Sequence, residues 1–92
     1  MQLKEILQQP NTHLIDVREP FEFEEEHIPG AVNIPLNSIP AHVAEIRNLQ
    51  GPLVLYCRSG NRSGMAVRML SAQGLTNLHN GGGLHDLKAL MN

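Results

Sequence analysis

The stretch "LVLYCRSGNRSGMAV", residues 53–67, decides how the whole chain is read. Leu53 to Cys57 run apolar without alternation, the pattern of a central parallel strand covered on both faces. Helical character resumes in "SGMAVRMLSAQG" (63–74), with Val67 and Leu70 on the inward side and Gly74 as the C-terminal stop. The intervening "CRSGNRS" (57–63) is a strand-to-helix turn holding the only cysteine of the chain and two arginines.

Such a turn has definite chemistry. Gly60 permits a backbone conformation closed to other residues, so successive N–H groups can point inward and form a concave anion site. A helix starting near Asn61 or Ser63 adds its unpaired N-terminal donors at the same place. A free cysteine titrates near ~8.5, and helix N-termini or neighbouring cations bring it to about 7 or lower. Each unit corresponds to roughly 1.4 kcal/mol, within reach of the loop donors and one guanidinium. Arg58 and Arg62 are the candidate guanidinium groups, because their charge persists and their forked donors suit an oxyanion. Cysteine is often a small buried apolar residue. A strand end beside Arg58, three residues before a glycine, favours the nucleophile instead.

Outward from this stretch, strands and helices alternate. "QLKEILQQP" (2–10) places Leu3, Ile6 and Leu7 on one helical face with Pro10 as a stop, and "THLIDV" (12–17) reads as a buried strand. Pro20 opens a short acidic turn that breaks at Pro29-Gly30, followed by a brief extended "VNIP" (32–35). Ser38 is a plausible N-cap for an amphipathic helix carrying Ile39, Val43, Ile46 and Leu49 inward as far as Gly51-Pro52. "LTNLHN" (75–80) is a weaker strand candidate. Gly81, Gly82 and Gly83 read as a turn, and a last helix follows with Leu84, Leu87 and Leu90 or Met91 inward. This alternation predicts an α/β domain with a central parallel sheet between helical layers. Ligands of such sheets sit beyond the carboxyl ends of the strands, where Cys57 falls.

Bulk properties bound the function. Ninety-two residues suffice for a single core, so one domain over 1–92 is expected. Seven basic and nine acidic residues give a formal charge of −2, with no general field for nucleic acid or an anionic membrane. No apolar run approaches a membrane span, and the N-terminus lacks the features of a secretory signal. A cytoplasmic protein is the expectation, and a lone thiol suits a reducing compartment. His13, His42, His79 and His85 show no ligand spacing, so no metal or other cofactor is expected. His27 beside Pro29-Gly30 reads as a local hydrogen-bonder, and the acidic run Glu22 to Glu26 as a solvated helix face.

Three ordered segments resemble the rhodanese, or sulfurtransferase, family: "LIDVREPFEFEEEHIPGAVNIPL" (14–36), "YCRSGNRS" (56–63) and "NLHNGGGLHDL" (77–87). The resemblance spans nearly the whole chain and implies a small three-layer α/β domain. It implies that the Cys57 thiolate attacks the outer sulfur of thiosulfate or a related small anionic donor, forming a persulfide. Cyanide, a thiol or a protein acceptor then takes the sulfur, in covalent two-step catalysis. By the same resemblance Arg58, Ser59, Gly60, Asn61, Arg62 and Ser63 form the substrate loop, and Asp16 and Arg18 support it. The family's tryptophan after the paired glycines is replaced by Leu87, a change of packing rather than chemistry. Glu26 stands where glycine is common, and an opening helix replaces a first strand, so the sheet is expected to be short of an edge strand.

Two other functions compete. A cysteine-dependent phosphatase of related fold has a loop one residue longer than the four residues between Cys57 and Arg62, and the shorter loop suits sulfur better than tetrahedral phosphate. A non-catalytic binding or regulatory module is the other, and retention of both Cys57 and Arg62 counts against it.

Overall fold

The computed structural model describes residues 1–91; Asn92, the last residue of the expected domain, lies outside the described residues. The elements are α1 (Leu3–Leu7), β1 (His13–Asp16), α2 (Pro20–Glu25), β2 (Val32–Asn33), a 3-10 helix (Leu36–His42), α3 (Val43–Arg47), β3 (Leu53–Cys57), α4 (Asn61–Ala72), β4 (Leu78–Gly83) and α5 (Leu84–Leu90). The four strands form one parallel sheet in the order β2-β1-β3-β4. The chain winds one way from β1 to β2 and then crosses to β3 on the other side. A switch of winding direction therefore lies between β1 and β3, where an α/β sheet opens a crevice at its carboxyl ends.

Alternation along β3 divides the core. Leu53, Leu55 and Cys57 face one layer with Ile15, Val17, Ile39, Ile46, Ala66 and Leu70, beneath the 3-10 helix, α3 and α4. Val54 and Tyr56 face the other, with Ile6, Ile28, Leu84 and Leu87, beneath α1 and α5. All five residues of β3 are buried, as an apolar run without alternation requires. Leu87 is fully buried in this second layer.

Several expectations need correction. The helix expected from Ser38 is split, because Pro40 has no N–H for the α-helical ladder; the segment winds as 3-10 to His42 and only Val43–Arg47 is α-helical. Its inward face survives, with Ile39 and Ile46 buried and Val43 and Leu49 packed against the same core. The three glycines are not a turn but the end of β4. Leu55 pairs with Asn80 while Tyr56 pairs with Gly82, so Gly81 is an extra bulged residue. The helix face closes at Leu87, since Leu90 and Met91 are both at the surface.

Candidate active site

Cys57 ends β3, and the chain turns directly into α4. Gly60 makes that turn at φ +96°, a conformation open to glycine, and serves as the N-cap of α4. The thiol lies on the floor of the turn, 1% exposed. Its Sγ accepts from Gly60 N–H at 3.0 Å and Ser63 N–H at 3.5 Å, and lies 3.4 Å from the Ser63 hydroxyl. Burial pushes the thiol upward, but the Ser63 hydroxyl and N–H, together with the N–H groups of Ser59 and Gly60, outweigh it. Cys57 is held below the ordinary thiol value.

The other expected site residues differ in where they lie. Ser63 is fully buried beside the sulfur, while Ser59 and Asn61 are exposed and contribute their backbone positions. Arg58 is exposed and, with Arg18, Phe21, Glu25, Leu84 and His85, lines a surface depression of about 510 Å³. Arg62 is engaged across the crevice. Its two terminal nitrogens donate to the Glu22 carboxylate of α2 at 2.7 and 3.1 Å, which raises the arginine and holds Glu22 down to about 2.

Asp16 and Arg18 form a buried support at the end of β1. Arg18 Nε lies 3.0 and 3.1 Å from the two Asp16 oxygens and Nη2 lies 2.7 Å from Oδ2. The Arg18 backbone N–H also donates to Asp16 at 2.9 Å. Arg18 Nη2 continues to the Glu26 carbonyl at 2.6 Å, tying the end of β1 to the end of α2. Glu26 takes an extended φ of −165°, which any residue adopts, so the position does not require glycine. Its carboxylate pairs with Lys88 at 2.8 Å. Tyr56 packs against the Asp16–Arg18 pair, with its hydroxyl accepting the Ile28 N–H at 3.1 Å and its ring 5.9 Å from the Arg18 guanidinium carbon. Burial drives its phenol well above the ordinary range.

His27 is a local hydrogen-bonder, with Nδ1 2.7 Å from the Phe23 carbonyl and its ring stacked on Phe23 at 3.8 Å. Three residues of the site escaped the sequence reading. Glu22 was hidden in an acidic run whose spacing distinguishes none of its members. Asn33 donates to the carbonyls of Asp16 and Arg18 at 3.0 Å each, and only its place on an edge strand puts it there. Asn80 precedes the glycines and clamps the loop, donating to the Gly60 carbonyl at 3.0 Å and accepting from the Ser63 hydroxyl at 2.7 Å. The glycines serve the same contact. A Cβ at Gly83 would overlap the Arg58 carbonyl, so a bare backbone is what lets β4 lie against the turn.

Among the described residues no cluster of three or more His, Cys, Asp or Glu side chains could hold a metal ion, and no helix is long and apolar enough to cross a membrane.

The model of the rhodanese-like domain matches residues 1–89. The chain belongs to the rhodanese family. It is 40% identical over 76 residues to the thiosulfate sulfurtransferase PspE of Escherichia coli, an alignment covering 82% of this chain and 73% of that protein. A thiosulfate:glutathione sulfurtransferase of Saccharomyces cerevisiae is 38% identical over 80 residues, covering 74% of this chain and 58% of that one. Among solved structures, an E. coli rhodanese with anions superposes with a TM-score of 0.75 at 39% identity, over 82% of this chain and 89% of that one. The rhodanese fold accounts for the parallel sheet between two helical layers.

Proposed function

We propose that this rhodanese-family sulfurtransferase takes the outer sulfur of thiosulfate, or of a related small anionic donor, onto Cys57 and passes it to a thiol or cyanide. The observation that carries the proposal is the Cys57 sulfur held at the centre of inward N–H groups within a turn of four residues before Arg62. In the first step the thiolate attacks the outer sulfur, the sulfur–sulfur bond of the donor breaks, and sulfite leaves with its electron pair. The Cys57 persulfide that forms is received by the same donors. In the second step the acceptor attacks the outer persulfide sulfur, and the thiolate is regenerated.

Arg62 contributes through its charge and through the guanidinium N–H groups that Glu22 leaves free, while its bond to Glu22 fixes the start of α4. Arg58, on the rim of the neighbouring depression, meets the anionic donor or a larger acceptor. Asp16 and Arg18 act as support. Residues 1–92 work as one domain, in the cytoplasm, where a lone thiol stays reduced.

Incubation with thiosulfate followed by intact mass measurement tests this. The native protein gains one sulfur atom and Cys57→Ser gains none. No gain in the native protein, or an equal gain in the variant, overturns the mechanism.

A further inference from the structure

Ser63 has one hydroxyl proton, and two neighbours compete for it. The Cys57 sulfur lies 3.4 Å from Ser63 Oγ, and the Asn80 carboxamide oxygen lies 2.7 Å from it on the other side. The orientation of that carboxamide is fixed by two backbone groups of unambiguous polarity. Gly82 N–H donates to Asn80 Oδ1 at 2.9 Å, and Asn80 Nδ2 donates to the Gly60 carbonyl at 3.0 Å. The oxygen therefore faces Ser63, and since it can only accept, the serine hydroxyl must donate to it.

A second feature points to the same contact. Gly64 lies inside α4, where glycine is destabilising relative to alanine. A Cβ there would come within 3.3 Å of Asn80 Nδ2, so the missing side chain makes room for the carboxamide.

We infer that Asn80 is a positioning residue which holds the Ser63 proton away from Cys57 in the thiol form and yields it to the sulfur when the thiol ionises. In the resting site the Cys57 S–H donates to Ser63 Oγ, and Ser63 donates to Asn80. Loss of the Cys57 proton to solvent turns the hydroxyl toward the thiolate, and Asn80 Oδ1 keeps the Gly82 N–H. Asn80 thus stabilises the neutral site and limits how much thiolate stands exposed to oxidants between turnovers. The inference deepens the proposed use of Cys57 as the sulfur carrier and rests on that reading.

The charged and titratable groups around the cup stay the same in the variants chosen to test this. They are Arg62 with its partner Glu22 of α2, the Asp16–Arg18 pair at the end of β1, Arg58 and His85 on the neighbouring depression, and His79 farther back on β4, bonded to Asn77.

The test titrates Cys57 by its thiolate ultraviolet absorbance and by its alkylation rate in the sulfur-free protein. It needs no sulfur donor, so its outcome stands whatever the thiosulfate experiment gives. Asn80→Ala frees the Ser63 proton and raises the thiolate fraction below the midpoint by about three- to tenfold, the net worth of one ordinary hydrogen bond. Asn80→Asp keeps the acceptor with added negative charge and lowers that fraction below the native level. In a Ser63→Ala background the Asn80→Ala effect disappears. A residue that only braced the loop would act in the opposite sense, because loosened N–H donors raise the thiol. An unchanged or reduced thiolate fraction in Asn80→Ala, an increase in Asn80→Asp, or an effect that persists without the Ser63 hydroxyl overturns the inference.

Discussion

The two ends of the sheet are built from different materials. At the amino ends the chain is closed by neutral contacts: His13 N–H donates to the Pro52 carbonyl at 2.9 Å, Leu53 N–H to Asn77 at 3.0 Å, and the Thr12 hydroxyl to Ile6 at 2.6 Å. A hollow of about 280 Å³ also opens there, between Ile46, Leu53 and Leu75, and Arg47 on its edge donates to the Gln73 carbonyl at 2.9 Å. At the carboxyl ends stand the Asp16–Arg18, Glu22–Arg62 and Glu26–Lys88 pairs, the thiol, and the Ser63–Asn80 clamp. A hollow alone does not make a reactive site. What separates the ends is a thiol among inward N–H donors, flanked by paired charges, at the point where winding direction switches.

Removing one partner of the buried pair should break the carboxyl end most severely. Asp16→Ala leaves the Arg18 guanidinium, 7% exposed, without its carboxylate, and a loss of about 3–5 kcal/mol is expected from an uncompensated buried charge. Denaturant unfolding measures it, and a midpoint equal to the native one would show that the pair contributes nothing to holding this end. Gly83→Ala comes next. Its methyl group must displace the Arg58 carbonyl, moving the turn relative to β4 at a cost of about 1–3 kcal/mol. A displacement near 1 Å costs about a hundredfold in rate, so persulfide formation should fall further than stability does. Native kinetics in this variant would detach β4 from the chemistry.

Glu22→Gln is a milder change that separates bracing from binding. The folded carboxyl titrates at about 2 against an ordinary 4.5, because Arg62 holds its charged form. Between those values the unfolded chain binds more protons than the folded one. The contribution is therefore complete above about 4.5 and is lost as the pH falls through about 2. With the Arg62 side chain one-third exposed, solvent screening reduces its worth to about 1–2 kcal/mol. Unfolding curves of the native protein and Glu22→Gln should converge as the pH is lowered through that window. The same variant calibrates Arg62→Ala. If Arg62 also meets the donor anion, Arg62→Ala slows persulfide formation more than Glu22→Gln does, and equal slowing would confine Arg62 to bracing.

The ends also differ in how legible they were. The run Leu53 to Cys57 disclosed a strand buried on both faces, and the glycine three residues beyond disclosed the turn, because both depend on local chemistry. The Asp16–Arg18 pair lies two residues apart and came with its motif. Glu22 and Arg62, forty residues apart, are joined by the packing of α2 over the crevice, which no spacing encodes. The glycines 81–83 misled for a related reason. Alone they resemble a turn, and only the close approach of β4 to the Arg58 backbone explains why a strand should end without side chains. Pro40 carried a legible signal that the apolar periodicity across it overrode, and the missing N–H won.

His13→Ala should have the smallest effect, and it sharpens the comparison from the quiet end. The imidazole Nε2 lies 2.8 Å from the Gln50 carbonyl, an exposed contact that helps close the turn before β3. Water replaces a surface hydrogen bond of this kind, so about 0.5–1 kcal/mol is expected from its loss. His13 pairs with Leu53 at the start of the sheet, while Cys57 lies at the far end of β3, beyond the Asp16–Tyr56 pairing. Sulfur transfer should therefore proceed at the native rate, since coupling between the ends would need an element with two arrangements that both ends bias. Turnover of thiosulfate measured beside the unfolding midpoint checks both quantities. A fall in rate exceeding the fall in stability would mean that the turn before β3 sets the position of Cys57, and the division of the sheet into a structural and a reactive end would fail.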